Sequence, residues 1–120
     1  MKKTDAIEIY FLTRREFRDR VTTAIKKRKP LIQPKNEVYF ETVEGFRSFM
    51  TLQKVEILMM IAAQEPKTIY QLAKLVGRNY PAVLRDCTSL KVMGFITLQE
   101  TNDSKHSKKP MLSFPYTHII

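Results

Sequence analysis

Between Arg78 and Ser89 the chain reads RNYPAVLRDCTS, and its side chains suit gripping an anion better than breaking a bond. The guanidinium of Arg85 offers a rigid fork of N–H donors, which matches the O6/N7 edge of guanine or a pair of phosphate oxygens. Arg78, Asn79 and Tyr80 stand at a helix start, where side-chain donors and free backbone N–H groups suit phosphate oxygens. Pro81, Ala82 and Ser89 carry little apolar bulk, so a face showing them beside Arg85 could approach a groove closely. Farther on, TNDSKHSKKP carries Lys105, His106, Lys108 and Lys109 with a single acid, Asp103. Lysines on such a loop suit a phosphate backbone without reading a base sequence. Each group also has a plainer use. Arg85 could pair with Asp86, Tyr80 could pack at the turn, and the lysine stretch could be a solvated loop.

These residues depend on the elements around them. Thr68 and Gln71 stand at capping-box spacing and open a helix over Ile69–Val76, which Gly77 ends in the left-handed conformation. Asn79 can cap the next helix, with Pro81 in its first turn, where a missing N–H costs nothing. That helix is expected to bury Val83, Leu84, Cys87 and Leu90, and to end at Gly94. Phe95–Gln99 is β-rich, Thr101–Lys109 polar and turn-like, and Met111–Phe114 extended; together they read as a hairpin. Tyr116–Ile120 could add a last strand.

Upstream, Ile7–Leu12 is a short apolar run, either a strand or an early helical turn. Thr13 and Glu16 form a second capping box, opening a helix to about Arg28 on which Phe17, Val21, Ala24 and Ile25 recur at helical spacing. Pro30 stops it, and residues 31–36 read as a linker. Val38 and Phe40 alternate with polar neighbours in a strand over Glu37–Thr42, and Phe46, Phe49 and Met50 suggest a short helical turn. Thr51 can cap a helix over Leu52–Gln64. Residues 57–63 are apolar nearly all round, so this helix is expected to be central, covered on several sides or by a second chain.

Helix, short turn with glycine, second helix and a hairpin with a basic tip: this order, carried by TIYQLAKLVGRNYPAVLRDCTSLKVMGFI, resembles the winged helix-turn-helix of MarR-like transcriptional regulators. The resemblance runs from Thr51 to about Phe114. It implies that Leu72 and Ala73 are the tightly packed pair of the supporting helix. Val83, Cys87 and Leu90 would be the inner face of the recognition helix, and Gly94-Phe95-Ile96 its exit into the wing. Cys87 departs from the family pattern, where an aliphatic residue is commoner. The expected fold class is α+β, mainly helical, a winged helix-turn-helix with a C-terminal β-hairpin wing. Residues 1–50 would be an N-terminal basic helix and strand extension, and residues 51–120 the DNA-binding domain.

The function so implied is sequence-specific binding of double-stranded DNA by a homodimeric regulator, a repressor by default. Its contact residues would be Arg78, Asn79, Tyr80, Pro81, Ala82, Arg85, Ser89, Lys105, His106, Lys108 and Lys109. Residues 7–50, with Tyr116–Ile120, would supply much of the dimer interface. Two rivals belong to other classes: a protein-binding module or antitoxin-like protein, and, much lower, a small enzyme.

The bulk properties agree with a polyanion partner. The 120 residues carry a formal charge of +9, with eleven basic and four acidic groups in residues 1–36, three and five in 37–67, and seven and three in 68–120. Enzymatic and metal chemistry find little support. Gly45, Gly77 and Gly94 make no phosphate-binding loop, the acids are dispersed, and His106 and His118 have no carboxylates at metal spacing. Buried Cys87 is expected to be an inert thiol. No catalytic site, metal or cofactor is expected, and the sequence names no small-molecule effector. One cysteine cannot form an internal disulfide. MKKTDAIEIYF lacks a signal-peptide apolar region, and Ile57–Ala63 falls short of the roughly 20 residues that span a bilayer. A soluble cytoplasmic protein is expected.

Overall fold

A computed structural model describes residues 6–29, 36–101 and 104–119. Among the described residues the order is β1 (Ala6–Phe11), α1 (Arg14–Lys26), β2 (Glu37–Phe40), α2 (Val43–Phe49) and α3 (Leu52–Gln64). There follow α4 (Ile69–Val76), α5 (Tyr80–Met93), β3 (Ile96–Thr101), β4 (Ser104–Leu112) and β5 (Tyr116–Ile119). The protein is a small α+β domain in which helices predominate. No helix among the described residues is long and apolar enough to cross a membrane.

The helix boundaries follow from their caps. Thr13 accepts from Glu16 N–H at 3.2 Å while Thr13 N–H donates to the Glu16 carboxylate at 3.3 Å, closing the expected capping box. Thr42, Thr51 and Asn79 each accept from the third N–H of the helix they open. At α4 the box is displaced by one residue: Gln71 N–H donates to Thr68, but Gln71 Oε1 accepts from Lys67 N–H at 2.7 Å. Gly77 (φ 70°) and Gly94 (φ 91°) end α4 and α5 in the left-handed region.

The terminal strands form a sheet of order β2-β1-β5 with both pairings parallel. Ile9 lies opposite Val38 on one side and Ile119 on the other. Ile7, Ile9 and Val38 are buried in one cluster with Ile57, Leu72, Val83, Cys87, Leu90 and Phe95. The core therefore spans residues on both sides of the expected division at 50/51. Ile7–Leu12, left open between strand and helical turn, is a strand. An aromatic seam ties the sheet to the rest. Phe46 stands edge-on to Phe11 at 5.9 Å and to Phe40 at 5.3 Å, Phe40 meets Phe49 at 5.8 Å, and Phe49 stacks on Phe95 at 6.1 Å.

Two helices leave apolar residues exposed. α3 packs on α4, α5 and β4, as its apolar composition predicts, with Ile57 and Ile61 buried, while Met59, Ala62 and Ala63 face out. α1 buries no residue at all. It touches the sheet through Arg20, whose guanidinium donates to the Tyr39 hydroxyl at 3.1 Å and lies 5.5 Å from the ring centroid. The strands pair with one another, and Ile7, Ile9 and Val38 of β1 and β2 are covered by the chain's own core. Most of the large apolar side chains left exposed lie on helices, with Met111 on β4 and Tyr116 on β5 the exceptions among the described residues.

Candidate functional site

α5 is anchored by Val83, Cys87 and Leu90, none of which has solvent exposure. These three define its inner face by helical spacing, and the opposite face carries Pro81, Arg85, Thr88 and Val92, all exposed. The outward face is thus turned slightly from the expected one. Ala82 and Ser89 are half-buried on its flank, Leu84 is half-buried rather than core, and Thr88 occupies an outward place that spacing from four core positions does not give. The Thr88 hydroxyl donates to the Leu84 carbonyl at 2.8 Å, which satisfies it within the helix.

Asp86 decides the state of the two arginines. Its Oδ2 accepts from Arg78 Nη1 at 2.7 Å, and both side chains are largely covered, 24% and 17% exposed. The pairing expected as the plain use of Arg85 therefore belongs to Arg78. A charge-assisted bond in that setting straps the turn between α4 and α5 to the second turn of α5. Arg85 is exposed and forms no ion pair among the described residues. Its fork of donors is open to solvent.

Asn79 uses its side-chain oxygen on the Ala82 N–H at 2.9 Å, so its first task is to start the helix. Tyr80 stacks on Tyr70 with centroids 4.1 Å apart and planes at 11°. Tyr70 belongs to the first turn of α4, is 50% exposed, and was not among the expected site residues. Its distance of ten positions from Tyr80 hid the pairing, because nothing local places the first turns of two helices side by side. The stack puts two phenol rings at the shared start of α4 and α5.

The hairpin is longer than expected. β3 and β4 pair antiparallel, with Ile96 opposite Leu112, Leu98 opposite Pro110, Gln99 opposite Lys109 and Glu100 opposite Lys108. Only positions 102 and 103 separate the strands. Lys108 and Lys109 are therefore half-buried strand residues rather than members of a mobile loop. Polarity alone suggested a turn, but a two-stranded ladder tolerates polar side chains when cross-strand charges match, as at Glu100–Lys108. Pro110 is buried on β4, where a two-stranded sheet leaves one edge without need of an N–H donor. Lys105 and His106 belong to β4 by backbone, and their side chains lie outside the described residues, as does that of His118.

Cys87 is buried without exposure, and its thiol is pushed up to about 12, chiefly by desolvation and secondly by the Asp86 charge. Because the unfolded thiol ionises at lower pH than the folded one, this group's contribution to stability is constant below the ordinary value near 9.0 and is lost as pH rises from there toward 12. Native protein at pH 8 is expected to react with a thiol reagent only at its opening rate, and fully once unfolded in denaturant. Rapid labelling of the native protein would contradict the burial. No group of three or more metal-ligating side chains occurs among the described residues.

Comparison with curated proteins and with solved structures gives no match. A family model designated HVO_A0114 matches residues 49–119, from the end of α2 through β5 and well over half of the sequence, and the chain belongs to that family.

Proposed function

We propose that the protein is a winged helix-turn-helix that binds double-stranded DNA, acting as a homodimeric transcriptional regulator in the cytoplasm. α5 is the recognition helix and the β3–β4 hairpin the wing. The observation that carries this reading is the division of α5, whose anchor residues are fully covered while Arg85 stands exposed on the far side, with no ion pair among the described residues. A helix enters a major groove only if such a side is available to base edges. Arg78 acts as the strap that fixes the turn, while Asn79 caps the helix. Exposed Tyr70, stacked on Tyr80, stands at the start of α4, where phosphate oxygens are favoured. Lys108 and Lys109 add positive charge along the wing.

The test is electrophoretic retardation of genomic fragments, followed by selection and sequencing of those bound. Binding is expected at low salt, with log affinity falling by about 0.9 per log unit of salt for each phosphate neutralised. No retardation at low salt would sink the reading. A second reading rests on Val92, which is 78% exposed on the same face as Arg85. An apolar residue there suits a protein partner, and the module would then recognise an acidic protein surface instead of DNA.

A further inference from the structure

Two helices show apolar stripes that nothing among the described residues covers. On α1, Phe17 (51% exposed) and Ile25 (70%) flank half-buried Val21 at four-residue spacing. On α3, Leu52 (72%), Met59 (65%) and exposed Ala63 line the side opposite buried Ile57 and Ile61. Groups this apolar gain by leaving water, at about 25 cal/mol per Å². The two helices do not pack on each other among the described residues. The charges beside them are opposite. Arg14 and Arg18 share the face of α1 that carries Phe17 and Ile25, while Glu56 lies within the α3 stripe, one turn from Leu52 and Met59.

We propose that α1 of one copy docks on the outer face of α3 of a second copy, and that the reverse contact closes a two-fold dimer. Phe17, Val21 and Ile25 lie along Leu52, Met59 and Ala63 of the partner copy, with Arg14 and Arg18 against its Glu56. The alternative self-pairings are disfavoured by charge. α1 against α1 brings two arginine-rich faces together, and α3 against α3 apposes two Glu56 carboxylates. A two-fold contact of this kind is self-complementary, since each copy supplies one basic and one acidic half. The arrangement leaves α5 and the hairpin outside the interface. It deepens the homodimer part of the proposed function and rests on that part.

Sedimentation equilibrium of the full chain tests it, with circular dichroism to confirm that each variant is folded. The unmodified protein is expected to be dimeric. Glu56→Lys alone, and Arg14→Glu/Arg18→Glu alone, are each expected to weaken self-association at least tenfold. The second variant also removes the ion pair between Arg14 and Glu41, but that pair is 3.9 Å long and exposed, so folding should not depend on it. Mixing the two variants is expected to restore a dimer, because each half-interface then pairs opposite charges again. A monomeric unmodified protein would overturn the homodimer reading itself. A dimer that neither variant weakens would overturn only the α1–α3 contact. So would variants that stay monomeric on mixing, or a Glu56→Lys chain that associates as tightly as the unmodified protein, the result expected of α3 against α3, where one like-charged pair replaces another.

Discussion

Phe95→Ala is expected to cost about 3–5 kcal/mol of folding stability, the range for removing a buried aromatic ring. Phe95 is 1% exposed and stands between the end of α5 and the start of β3. Its N–H donates to the Leu90 carbonyl at 2.9 Å, and its carbonyl accepts from Ser113 N–H at 3.0 Å, so the backbone around it cannot easily move to fill a void. The ring also ends the aromatic seam through Phe49, Phe40 and Phe46 that joins the parallel sheet to the helices. Removing it therefore loosens both halves of one core. Small domains have roughly 5–15 kcal/mol in hand, so the variant should lie close to its unfolding transition at 25 °C. Urea titration followed by circular dichroism is the check: the midpoint should fall while the slope is retained. A loss under about 1 kcal/mol would mean that the seam does not couple sheet and helices.

Arg85→Ala is expected to leave stability within about 0.5 kcal/mol, since an exposed side chain with no ion pair among the described residues supports little of the fold. Its expected effect on the selected DNA site is a loss of about 1–3 kcal/mol, roughly five- to 150-fold in affinity, if the guanidinium takes guanine O6 and N7. Fluorescence anisotropy with the selected site and with random DNA at matched salt separates two roles. A base contact loses affinity mainly on the selected site. An equal loss on both, with a salt slope reduced by about one, would make Arg85 a phosphate contact. No loss on either would remove α5 from the interface.

The proposed site was only partly legible in the sequence. Asn79 as a cap and Arg85 on an outward face follow from residue type and from the 3.6-residue period, both of which act over a few positions. The use of Asp86 does not. Arg85 is adjacent in sequence, yet adjacent helical residues point about 100° apart, and Arg78 across the turn reaches the carboxylate instead. The Tyr70–Tyr80 stack was hidden for a similar reason, as it depends on how α4 lies against α5.

By itself the sequence determined the helices and their ends, because threonine and asparagine caps, left-handed glycines and prolines act within a turn of where they stand. It also determined that Val83, Cys87 and Leu90 face inward and that the chain carries an excess of positive charge. Only the tertiary structure decided that β1 pairs with β2 and with β5, whose registered residues lie more than a hundred positions away. Parallel pairing is set by which apolar faces find cover together, and short strands of similar composition carry no local mark of their partner. The same global competition for cover buried Ile7, Ile9 and Val38 in the chain's own core and left Phe17 and Ile25 of α1 and the outer face of α3 in water.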